Sequence, residues 1–189
     1  MMKVLSWNSR GLGHPSKIAA LKELIQSEKP KIILIQETKQ DQSEINRIIN
    51  QQKHYSGCAS EARGASGGIL TMWDNSKWSC NFSKIHQNWI SVNLESKENG
   101  TIVKIYNIYS PNQYREKEVC WNTLETNIEE DQDNNLILAG DLNLVLHANE
   151  KRGGIFSPDP FRNRLEHIMQ EQDLADIKPK NRRYTWSNR

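Results

Sequence analysis

Residues 32–35 (Ile32-Ile33-Leu34-Ile35) form an unbroken apolar run between Lys29-Pro30 and Gln36-Glu37. Apolar side chains at consecutive positions of so short a run describe a strand buried on both faces, not a strand with one wet side. A sheet built on such a strand needs cover above and below, which points to a layered α/β architecture. Val4–Trp7, Gly67–Trp73, Ile102–Tyr109 and Leu136–Ala139 read as further strands, the last of them also buried. Ile90-Ser91-Val92-Asn93-Leu94 alternates as a half-wet strand should, and Glu98-Asn99-Gly100 is a turn that pairs it with 102–109 in a hairpin. Ser16 is placed to cap a helix carrying Ile18, Leu21, Leu24 and Ile25, and Ser43 to cap one carrying Ile45, Ile48 and Ile49. Glu116–Glu130 reads as a helix with Val119, Leu124 and Ile128 on one face, and Phe161–Gln172 as one with Leu165, Ile168 and Met169 inward. Tyr184-Thr185-Trp186 reads as the start of a strand. The expectation is a single domain over 1–189, with helices outside two clusters of strands.

Several function classes are disfavoured by composition. At 189 residues, 36% hydrophobic and 25% charged, the chain can bury a core. A net charge of +2 permits nucleic-acid binding without arguing for it. Cys58, Cys80 and Cys120 are scattered, with no CxxC, so neither a disulfide framework nor a zinc cluster is expected, and a reducing compartment fits. No stretch is apolar enough for a membrane span, and no secretory signal is read at the start, so an intracellular protein without a membrane partner is expected.

The strand ends carry the chemistry. Val4–Trp7 runs into Asn8, Ile32–Ile35 into Gln36-Glu37, Ile105–Ile108 into Tyr109, and Leu136–Ala139 into Gly140-Asp141-Leu142-Asn143. Rigid strands position side chains and the following loops expose them, so groups at a common sheet edge can meet there. Carboxylate and amide oxygens are hard ligands, suited to Mg²⁺ or Mn²⁺. The matching chemistry is metal-assisted phosphodiester hydrolysis. Taken singly, each residue has a plainer role: Glu37 solvated or capping, Asp141-Leu142-Asn143 an Asx-turn, Asn8 a loop cap, Tyr109 a packing residue.

Taken in order, Leu5-Ser6-Trp7-Asn8-Ser9-Arg10-Gly11, Ile35-Gln36-Glu37-Thr38-Lys39, Ser66-Gly67-Gly68-Ile69, Asn107-Ile108-Tyr109-Ser110-Pro111 and Gly140-Asp141-Leu142-Asn143 resemble the endonuclease/exonuclease/phosphatase (DNase I-like) superfamily. Val145-Leu146-His147, Lys151-Arg152-Gly153-Gly154 and Tyr184-Thr185-Trp186-Ser187-Asn188 look like the endonuclease domain of plant LINE-type (non-LTR) retrotransposons. The resemblance implies a four-layered sandwich of two mixed β-sheets flanked by helices. It implies Glu37 as principal metal ligand with Asn8 nearby, Asp141 orienting or deprotonating the attacking water, and Asn143 and Tyr109 on the scissile phosphate, with Asp141 also beside the metal. It places Thr185 near the substrate. It further implies Mg²⁺ (or Mn²⁺) as cofactor, DNA as partner, a nuclear setting, and a reverse transcriptase in the full-length element, which these residues do not encode.

The family pattern also has a late aspartate and a final Ser-Asp-His motif, and no Ser-Asp-His occurs in this sequence. The expectation is therefore a domain incomplete at its C-terminus, lacking the last strands of the second sheet, and inactive or very weak as given. His147, though near Asp141 in sequence, is not read as a substitute. Two other readings stand beside the endonuclease: a phosphatase of small phosphate esters on the same fold, and a non-catalytic DNA-binding or vestigial fragment. For the latter, Lys178, Lys180, Arg182, Arg183 and Arg189 with Tyr184 and Trp186 form a basic, aromatic tail.

Overall fold

Among the described residues, eight strands divide at the Asn75–Lys77 turn into two sheets, each drawn from one continuous stretch of chain. The computed structural model describes residues 2–64, 66–130, 135–150 and 157–178. The first sheet holds β1 (Val4–Asn8), β2 (Ile32–Gln36), β3 (Tyr55–Arg63) and β4 (Ser66–Asp74), in the order β1-β2-β4-β3. The second holds β5 (Trp78–Ile85), β6 (Trp89–Ser96), β7 (Ile102–Tyr109) and β8 (Leu136–Asp141), in sequence order. Helices α1 (Pro15–Glu28) and α2 (Gln42–Asn50) belong to the first half, and α3 (Tyr114–Glu129) and α4 (Arg162–Glu171) to the second. Each sheet is mixed: β1 and β2 pair in parallel, as do β7 and β8, and the other pairings are antiparallel.

Strand periodicity sorts the apolar side chains into three layers. Ile32, Leu34 and Ile69 face Ile90, Val92, Leu94 and Ile105 between the sheets. Ile33, Ile35, Leu70 and Met72 point the other way, onto Leu21 of α1 and Ile45 and Ile48 of α2. Trp89, Tyr106 and Ile108 meet Cys120, Trp121, Leu124 and Ile128 of α3 and Leu165 and Ile168 of α4. Helix, sheet, sheet, helix is the expected four-layered sandwich. β2 is buried at all five positions because it lies inside its sheet and between two layers. Burying each such Ile or Leu is worth about 1.5–3 kcal/mol.

Local details differ from the sequence reading. His14 rather than Ser16 caps α1, accepting from the Ser16 N–H, because Pro15 with its fixed φ already occupies the first turn. Asp41 rather than Ser43 caps α2, accepting from the Glu44 N–H. The face of β6 expected to be wet is covered at Trp89 and Ser91, both buried, and only partly at Asn93, because Trp89 packs with α3 and α4. On α3, Val119 is half exposed, and the inward stripe is Lys117, Cys120, Trp121, Leu124 and Ile128. β8 is only half-buried along its length, not buried, because it ends the sheet among the described residues. β3 and β5 have no counterpart in the sequence reading. Both are outer strands rich in small or polar residues, so neither shows the apolar alternation that marks a strand. Tyr184–Trp186 lies outside the described residues.

Candidate active site

Parallel pairing brings strand ends together. Asn8 lies opposite Gln36 in the first sheet, and Tyr109 opposite Asp141 in the second. The carboxyl ends of all four strands thereby open onto one edge of the sandwich, where the Asn8 amide donates to Asp141 Oδ2 at 2.7 Å. That bond crosses from one sheet to the other and joins residues 133 positions apart.

On the first sheet, main-chain bonds continue beyond the strands. Ser9 N–H donates to Gln36 O (3.0 Å), Gly11 N–H to Glu37 O (2.7 Å) and Leu12 N–H to Thr38 O (2.8 Å). Thr38 and Lys39 N–H groups donate to Gly68 O and Gly67 O, each at 3.0 Å. This double pairing holds Arg10, Glu37 and Lys39 in the left-handed region, at φ of 50°, 54° and 53°. Each such residue costs on the order of 1 kcal/mol and persists only where its surroundings enforce it. Gly68 makes room: a Cβ there would lie 2.2 Å from Thr38 Oγ1. Glu37 Oε1 is paired with Lys39 Nζ at 3.0 Å.

On the second sheet, Asp141 Oδ1 accepts from the Asn143 N–H (3.1 Å), an Asx-turn that leaves Oδ2 for Asn8. Asn143, itself left-handed at φ 46°, donates its side-chain amide to Ser110 O at 2.6 Å. Gly140 lies so close to β7 that a Cβ would sit 2.0 Å from Ile108 O. Burial, then the neighbouring Glu37 and Asp141 carboxylates, push the Tyr109 phenol above its ordinary range. At neutral pH it is therefore a hydroxyl, able to donate but not ionised.

A buried polar network ties the sheets together just beneath this edge. Gln36 Nε2 donates to Asn107 Oδ1 at 2.6 Å, and Asn107 Nδ2 donates to Leu70 O (3.0 Å) and Thr71 Oγ1 (3.1 Å). Gln36 immediately precedes Glu37, and Asn107 lies two residues before Tyr109, so the network fixes the two strand ends relative to one another.

Asn8, Glu37, Tyr109, Asp141 and Asn143 are thus gathered at one edge, whereas Thr185 lies outside the described residues. His147, not read as a substitute for the missing histidine, is exposed. Among the described residues no three His, Cys, Asp or Glu side chains gather as a metal cluster. The oxygen donors at this edge are two carboxylates and the Asn8 amide, a hard set that fits Mg²⁺ or Mn²⁺ and not a thiophilic ion. The sequence reading assigned no role to Asn107, to Lys39 as the partner of Glu37, or to Lys117. Lys117 left a signal, since it shares the helical stripe of Cys120, Trp121 and Leu124.

Comparison with solved structures agrees with this architecture. A 3'-5' exonuclease from Neisseria meningitidis superposes with a TM-score of 0.71 at 16% identity, over 89% of this chain and 71% of the other. An AP endonuclease from Leishmania major gives 0.66 at 19% identity, over 90% and 66%. A Neisseria 3' phosphatase bound to a product DNA hairpin gives 0.65 at 17%, over 79% and 61%. The chain therefore spans less than two thirds of the length of the last two. No curated protein matches it by sequence. The pattern of the endonuclease/exonuclease/phosphatase family matches residues 5–177, which run from within β1 to beyond α4, and the chain belongs to that family.

Proposed function

We propose that this chain carries the catalytic edge of a Mg²⁺- or Mn²⁺-dependent phosphodiester hydrolase acting on DNA, of the kind that nicks target DNA for a LINE-type retroelement. The observation that carries the reading is the Asn8–Asp141 hydrogen bond across the two sheets, with Glu37 and Tyr109 at the same edge. Glu37, Asn8 and Asp141 would hold the cation, Glu37 by exchanging its Lys39 partner for the ion. A bound divalent cation supplies charge neutralisation on a phosphate and polarises a water. Asp141, fixed by Asn8 and the Asn143 N–H, would orient the attacking water and take its proton. The Tyr109 hydroxyl and the Asn143 amide donate to phosphate oxygens as charge develops on them. DNA as the substrate is supported by the neighbours that act on or bind it, and the retroelement setting by the stretches around His147 and Tyr184.

A positioned imidazole is not among these groups, and loss of a proton donor or acceptor costs on the order of 10²–10⁴ in rate. We therefore expect residues 1–189 alone to nick supercoiled plasmid slowly with Mg²⁺ or Mn²⁺, and Asp141→Ala to abolish what remains. Glu37→Gln should weaken Mg²⁺ binding in calorimetry, a neutral amide being a poorer ligand than a carboxylate. Phosphate release from small phosphate esters without plasmid nicking would replace this reading with the phosphatase. Unaltered Mg²⁺ binding by Glu37→Gln would remove Glu37 from the cation site.

A further inference from the structure

Lys117 is a lysine in the wrong place for a surface charge. It sits on the buried stripe of α3 with its side chain 5% exposed. Its ammonium donates to the main-chain O of Asn143 at 2.7 Å and to Asp159 Oδ2 at 2.5 Å, and it lies 5.6 Å from the centre of the Phe161 ring. Asp159 is anchored in turn, its Oδ1 accepting from the Phe161 N–H at 2.9 Å. One buried cation thus joins α3, the segment entering α4 and the loop that follows β8.

We propose that Lys117 is a positioning residue: by holding the Asn143 carbonyl it sets the left-handed peptide that turns the Asn143 N–H onto Asp141, and so fixes the rotamer of the Asp141 carboxylate. Asn143 is bonded at three atoms: its N–H to Asp141 Oδ1, its side-chain amide to Ser110 O, and its carbonyl to Lys117. The first two bonds are to β8 and to the residue after β7, which the sheet already aligns. Only the third reaches outward to a helix, and it ties down the carbonyl side of a residue whose φ is 46°. Without that bond Asn143 loses one of its three restraints, in a conformation that asparagine tolerates but does not prefer. The N–H would then leave Asp141 Oδ1, and the carboxylate would be free to rotate off Asn8. A charged donor is suited to this task because its bond is about twice as strong as a neutral one. Asp159 keeps the buried ammonium from standing alone.

This inference rests on the proposed role of Asp141, but its first test does not. Amide hydrogen exchange of the intact chain, read by NMR, reports on the Asn143 N–H directly. In Lys117→Met, of similar length but without the charge, that amide should exchange roughly five to ten times faster. Amides of β6 and β7 should keep their protection, and Lys117→Arg should restore most of the loss. Unchanged Asn143 protection in Lys117→Met would overturn the proposal, and so would a uniform loss across β6 and β7, which would make Lys117 a general core residue. If Lys117→Met does not fold, Asp159→Asn weakens the same clamp from its other end. It should speed the Asn143 amide selectively, and an unaffected amide would again overturn the idea. Mn²⁺ affinity, titrated by electron paramagnetic resonance, separates this inference from the functional reading. A wild-type chain that binds no Mn²⁺ yet shows the selective exchange effect refutes the metal site and leaves the clamp intact.

Discussion

On the first sheet, the segments bearing Asn8 and Glu37 are held by main-chain bonds, five of them running from 9–12 and 38–39 onto neighbouring backbone. On the second sheet, the segment bearing Asp141 and Asn143 is held largely by side chains: the Asp141 carboxylate, the Asn143 amide and the Lys117 ammonium. Main-chain bonds survive most substitutions because every residue but proline brings the same donor and acceptor. Side-chain bonds disappear with the residue that makes them. The two halves of one site thus differ in how much sequence change they tolerate, and the strained backbone at Glu37 is the better insured of the two.

The largest test of that contrast lies in two glycines with positive φ. At Gly140 (φ 132°) an added Cβ meets the Ile108 carbonyl, which belongs to a central strand and cannot yield. Gly140→Ala should cost about 3 kcal/mol or more in urea unfolding. At Gly68 (φ 87°) the nearest atom is a side-chain hydroxyl, Thr38 Oγ1, and the nearest main-chain atom is the Lys39 nitrogen at 3.2 Å. Gly68→Ala should cost about 1–2 kcal/mol. Equal costs would mean that the first half is no better cushioned than the second.

Asn107→Leu is the next largest. It removes the shorter of the two bonds that Gln36 Nε2 donates, leaving the one to Ser6 Oγ at 3.3 Å, and takes the Asn107 amide from Leu70 O and Thr71 Oγ1, at about 2 kcal/mol. Because the network serves both sheets, thermal melting should remain a single transition at lower temperature. Two separated transitions would show that the sheets fold independently, a sharper division than the one drawn here. Smallest is Lys39→Gln. Its side chain is 38% exposed, and such a pair is worth about 0–1 kcal/mol. Freeing Glu37 should tighten Mg²⁺ binding by up to roughly fivefold in calorimetry. Weaker binding would show that Lys39 helps shape the carboxylate rather than competing with the ion.

What could be read from the sequence follows the same division. The buried strands β2, β4 and β7 announce themselves by apolar runs, and their polar ends name Glu37 and Tyr109 directly. The outer strands β3 and β5 are not legible because a strand with one neighbour needs little apolar surface. Asp141 and Asn143 are legible as a motif, but their support is not. Whether Lys117 reaches Asn143 depends on the phase of α3, and a stripe drawn through Val119 instead of Cys120 and Trp121 turns that lysine toward water. Cap positions fail for a local reason, since His14 and Asp41 each precede the serine that seemed the natural choice.

The passage from one sheet to the other at Asn75–Lys77 has a bearing on how the chain is made. Among the described residues, the strands of the first sheet are all encoded within residues 4–74, so a chain leaving the ribosome can form that ladder before the second sheet has been synthesised. Its inner surface, with Ile32, Leu34 and Ile69, then has no counterpart until residues 90–105 emerge. Asn8 waits longer still, because the carboxylate it bonds belongs to the final residue of β8. The Asn8–Asp141 bond accordingly forms only once both sheets have met: in a half-made chain the first sheet can stand while the site does not yet exist.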